Sequence, residues 1–105
     1  MTQPDITVHF RLLHLDAMQA YTLKREIEGA SFSKRDDSAA FVGLVPLKET
    51  LFDELNDYII RQQITYDECD IYVKAENGEG VINVPRVVNK LLKYIDCKLT
   101  YAFVK

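Results

Sequence analysis

Few side chains in this 105-residue sequence could do covalent or metal chemistry: His9, His14, Cys69, Cys97 and the glycine-bearing stretch AENGEGVINVPRVV at 75–88. The histidines are five apart, so they lack the two- or four-residue spacing that aims a pair at one metal, and no ligand motif completes them. No serine lies in G-x-S-x-G, and neither cysteine carries a nucleophile signature. A contact between His9 and Cys69 across adjacent strands is conceivable, but nothing in the sequence prefers it to a solvated histidine. A phosphate loop needs consecutive amides and a helix N-terminus aimed at the anion, usually with a lysine at the outer phosphates. Here neither glycine-rich fingerprint is present, Glu76 and Glu79 would repel phosphate, and Pro85 removes an amide donor. The stretch therefore reads as a loop, with Asn77-Gly78 at a tight turn. The sequence shows no catalytic or metal signature, and an enzyme would need residues unrelated in sequence to converge in the fold, so an enzyme is not expected and no cofactor is implied.

The elements that must position any site follow from periodicity. ITVHFRL at 6–12 alternates Ile6, Val8, Phe10 and Leu12 against Thr7, His9 and Arg11, which predicts a half-buried strand. Asp16 is a good N-cap for a helix carrying Ala20, Leu23 and Ile27, with Gly29 placed to turn left-handed after it. The segment 30–45 predicts a hairpin, or a loop feeding one strand. Pro46 to Gln63 predicts a long helix, with Leu47, Leu51, Leu55, Tyr58 and Ile59 on its apolar arc. Cys69, Ile71, Val73 and Ala75 alternate against Asp70, Tyr72 and Lys74 in a further strand. Val84, Val87, Val88, Leu91, Leu92 and Ile95 then repeat at helical spacing after Pro85, and KLTYAFV closes the chain as a strand. The expected class is α+β: one two-layer domain spanning 1–105, a mixed sheet with three helices in the order β-α-β(β)-α-β-α-β. The final strand-helix-strand should be a right-handed crossover between parallel strands.

Composition, at 48% hydrophobic and 28% charged, is that of an ordinary folded domain. The amino terminus has no signal-peptide pattern and no run approaches the roughly eighteen apolar residues of a membrane span, which predicts a cytoplasmic protein. The two cysteines, 28 apart and each just ahead of a strand, read there as reduced, small core hydrophobes. Net charge is −1 over residues 1–46, −6 over 47–80 and +4 over 81–105. An acidic middle repels nucleic acid and membrane phosphate and favours a basic partner, and no aromatic RNA-binding motif is present.

On the 46–63 helix Glu49, Asp53, Asp57 and Ile60 point away from the apolar arc, with Glu54 at its edge; Asp67, Glu68 and Asp70 follow in YDECD. An apolar anchor rimmed by acids is what docking on a basic protein requires. The expected contact set is Glu49, Asp53, Asp57, Ile60, Asp67, Glu68 and Asp70. The bland reading is a solvated acidic helix with one exposed isoleucine.

CDIYVKAENGEGVINVPRVVNKLLKYIDCKLTYAFV is similar in pattern to the closing half of small bacterial immunity proteins of polymorphic-toxin and contact-dependent inhibition systems. ITVHFRLLHLDAMQAYTLKREI resembles their first strand and helix. The resemblance implies an antitoxin that binds and neutralises one cognate toxin domain, in many cases a nuclease with a basic cleft that an acidic inhibitor would fill. A second reading remains open: a regulatory or small-molecule-binding α+β module, with the sheet and glycine loop as its site and a homodimer as its assembly.

Overall fold

The computed structural model describes residues 5–35, 39–76 and 84–104; the glycine loop and its Asn77-Gly78 turn lie outside the described residues. Five strands form one mixed sheet in the order β2-β3-β1-β4-β5: β1 Asp5–Leu15, β2 Ser31–Lys34, β3 Phe41–Pro46, β4 Cys69–Glu76 and β5 Lys98–Val104. Three helices, α1 Ala17–Glu26, α2 Phe52–Arg61 and α3 Arg86–Leu92, complete the α+β order expected from the sequence. Strands β4 and β5 run parallel, as a strand-helix-strand unit through α3 requires, and the other pairings are antiparallel.

Alternation in β1 and β4 decides which side carries the core. Phe10, Leu12, Cys69, Ile71 and Val73 are fully buried under the helices, whereas Thr7, His9, Arg11, Tyr72 and Lys74 belong to the other face. Helix α1 starts at a capping box, in which the Asp16 carboxylate accepts from the Gln19 amide and the Gln19 side chain accepts from the Asp16 amide. It packs so closely on β3 that a Cβ at Gly43 would stand 2.5 Å from Leu23 and 2.9 Å from Leu15. Gly29, at φ +81°, makes the left-handed turn into β2. The buried Tyr58 hydroxyl donates to the Gln19 carbonyl at 2.6 Å and ties α2 to α1.

The start of α2 departs from expectation. Pro46 ends β3 opposite His9, and a 3-10 turn at Glu49–Leu51 precedes the helix at Phe52. Strand β2 stops pairing at Leu44, so no ladder needs the missing Pro46 amide hydrogen, and proline is tolerated there. Helix α3 is likewise shorter than its apolar repeat: Pro85 is its N-cap, while Val88, Leu91 and Ile95 are fully buried.

Candidate functional site: the acidic ridge of the second helix

Helix α2 divides its residues cleanly. Phe52, Leu55, Tyr58 and Ile59 are buried, and Asp53, Glu54, Asp57, Ile60 and Arg61 are exposed. Asp53 and Glu54 occupy its first turn, where carboxylates complement the helix dipole, and Arg61 occupies its last. The helix ends in a Schellman arrangement: the Gln63 amide donates to the Ile60 carbonyl at 3.2 Å and the Ile64 amide to the Ile59 carbonyl at 3.0 Å. The left-handed position of that motif usually holds glycine, but here it holds Gln63 at φ 56°. Beside it a groove of about 270 Å³ is lined by Ile59, Ile60, Gln63, Ile64, Thr65 and Tyr66. Ile60 stands at its lip, 64% exposed.

The carboxylates along α2 and its flanking turns differ in how far they are neutralised. Glu49 pairs with Lys90 at 3.0 Å; Asp57 accepts from Arg61 at 2.9 Å, and Arg61 also reaches Glu26 at 2.7 Å. The Glu26 hydrogen bond, then that of Asp57, holds the Arg61 guanidinium firmly charged. These pairs are solvated and each is weak, so a partner's cations can compete for the acids. Asp53, Glu54, Asp67 and Glu68 form no ion pair among the described residues. Asp67 and Glu68 sit in a 3-10 turn, Tyr66–Glu68, next to the groove.

Asp70 stands apart from the other six. It is 3% exposed and belongs to the sheet face turned away from the helices, since its neighbours Cys69 and Ile71 are the ones in the core. Arg11, its register partner on β1, grips it with two nitrogens, Nε to Oδ1 at 2.7 Å and Nη2 to Oδ2. The Thr100 hydroxyl donates to Oδ2 at 2.7 Å, and the guanidinium lies 4.2 Å from the centroid of the Tyr72 ring. That hydrogen bonding raises the Arg11 pKa further above its ordinary value, against a smaller opposing effect of burial. With its oxygens taken by donors on the two flanking strands, β1 and β5, Asp70 ties three strands together on the open face of the sheet. Sequence reasoning missed this network because the pairing joins residues 59 apart.

The remaining chemistry-bearing side chains do not converge. His9 is opposite Tyr72, and Cys69 is opposite Leu12, so His9 and Cys69 are not strand neighbours. Both thiols are free; burial pushes Cys69 up to about 12 and the half-buried Cys97 up to about 11, the reverse of what a nucleophile needs. Among the described residues no three His, Cys, Asp or Glu side chains are grouped to hold a metal ion. No described helix is long and apolar enough to cross a membrane. Compared with protein families, curated proteins and solved structures, the chain matches none of them.

Proposed function

We propose that this protein is an antitoxin of the immunity type: it binds a cognate toxin domain with a basic cleft, a nuclease by chemistry, through the outer face of α2, and does no catalysis itself. The observation that carries the reading is Ile60, a large apolar side chain 64% exposed at the lip of a groove and on the same helix face as the exposed Asp53 and Asp57, seven and three residues before it. Covering it would contribute roughly 1–2 kcal/mol from apolar area, while Glu49, Asp53, Asp57, Asp67 and Glu68 steer the approach and set its salt dependence. Asp70, saturated on the far face, has no part in that contact. At about 270 Å³ the groove is smaller than the roughly 300–1,000 Å³ of drug-sized ligand pockets. It suits a side chain of a docked protein better than a metabolite, which favours protein docking over small-molecule binding at this groove.

The test is kinetic. Asp53→Lys/Asp57→Lys forfeits one exposed ion pair and a helix-end charge, together under about 2 kcal/mol, so the variant folds. Its association with the toxin encoded beside it should be slower by about tenfold or more at low salt and converge on the wild-type rate at high salt. An unchanged rate at low salt refutes the acidic ridge as the docking face.

A further inference from the structure

The two edges of the sheet are not alike. Strand β2 is four residues long, SFSK, with Lys34 and then Arg35 at its end, the short and charged kind of edge that resists pairing. At the other edge β5 runs for seven residues, KLTYAFV, with no formal charge after Lys98. Its register places Leu99, Tyr101 and Phe103 beside Ile71, Val73 and Ala75, hence on the helix-bearing face. The helical layer covers the β4 residues, which are 0%, 0% and 3% exposed, but leaves their β5 neighbours 37%, 46% and 66% exposed. Exposure rises steadily toward the carboxyl end as the strand runs out from under the helices.

We infer that β5 is a homodimer edge, pairing antiparallel with β5 of a second copy about a two-fold axis at Tyr101 to make a ten-stranded sheet. The strand is self-complementary in that register. Tyr101 meets its own equivalent, and Phe103, the most exposed of the three, falls beside the partner's Leu99, the least exposed and nearest to the helical cover. Six large apolar side chains then form one continuous stripe, as an isologous contact requires. Lys98 falls opposite the Val104 position, and the two Lys98 residues stand about 20 Å apart, beyond the roughly 8 Å screening length. An acidic or basic peptide would find no charge complement between Leu99 and Phe103, whereas a second copy supplies matching apolar residues and a matching edge that no other strand pairs among the described residues.

The full-length chain, measured by light scattering during gel filtration, should have twice the 12.1 kDa chain mass. Tyr101→Lys sets like charges against each other on the axis and should halve that mass while circular dichroism stays native. Tyr21→Lys, on the exposed face of α1, should remain dimeric. As an independent reading of register, Tyr101→Cys treated with diamide, which takes up the two thiol hydrogens as the disulfide forms, should cross-link copies through position 101; Tyr21→Cys should not. A mass of 12.1 kDa at all concentrations up to about 1 mM, or a dimer that survives Tyr101→Lys and does not cross-link at 101, overturns the proposal. The acidic ridge on α2 is untouched by these changes, so its test stands separately.

Discussion

Arg11 and Asp70 show how one residue pair can hold a sheet face together. Truncating Arg11 to alanine leaves a carboxylate that is 3% exposed with Thr100 as its remaining side-chain donor among the described residues. Stability should fall by about 2–4 kcal/mol, whereas the apolar pair Arg11→Met/Asp70→Leu should come within about 1 kcal/mol of wild type. Urea unfolding of the wild type and these two variants measures both. The thiols give a second test. With Cys97 raised to about 11, at pH 8 it carries about a hundredth of the thiolate of a free cysteine, so iodoacetamide should label it about a hundredfold more slowly. Because both thiols are raised in the fold from an ordinary value of 9.0, their contribution to stability is complete below pH 9. It should be lost as pH climbs through 11 to 12. Labelling at the rate of an unfolded control would show that Cys97 is not shielded. The sequence did contain a sign of Asp70's fate, since alternation in CDIYVKA puts it on the Tyr72 side. Its partner was hidden because register between strands is a tertiary fact that local pattern does not contain.

Helix α2 was legible in kind and misplaced at its start. Leu47 and Leu51 keep helical spacing, so periodicity extended the helix back to Pro46, although the chain there finishes β3 and winds a 3-10 turn before Phe52. The capped start of α1, the left-handed Gly29 and the parallel β4-α3-β5 unit were all readable, because each rests on local residue chemistry or on a chain-connection rule. The far end of α2 holds a feature no periodicity reveals: Gln63 in a left-handed conformation that costs an L-residue about 1–2 kcal/mol. Part of that returns when glycine, with its greater unfolded freedom, takes the position, so Gln63→Gly should stabilise the fold by about 0.5–1 kcal/mol in thermal or urea unfolding. No gain would mean that side-chain packing of Gln63 offsets the backbone cost.

Among the described residues the acidic ridge and the exposed apolar stripe lie on different elements, α2 with its flanking turns and β5. The sequence located the acidic excess between residues 47 and 80 and the ridge on α2 through residue spacing alone, and six of the seven expected contact residues lie on α2 or the turns flanking it. The exposed stripe on β5 was invisible because KLTYAFV reads as a strand without showing how far its apolar side is covered; only the assembled helical layer shows that the cover stops short. The central claim is that Ile60 and its acids meet a basic protein, and one capture experiment addresses it most directly. Tagged wild type, Ile60→Asp and Asp53→Lys/Asp57→Lys are compared for what they retain from a lysate of the source cells at low and high salt. Wild type should hold one stoichiometric basic protein, weakened by salt, and Ile60→Asp should bind it about tenfold or more weakly. Equal retention by all three proteins, or no partner on wild type at either salt, would contradict it.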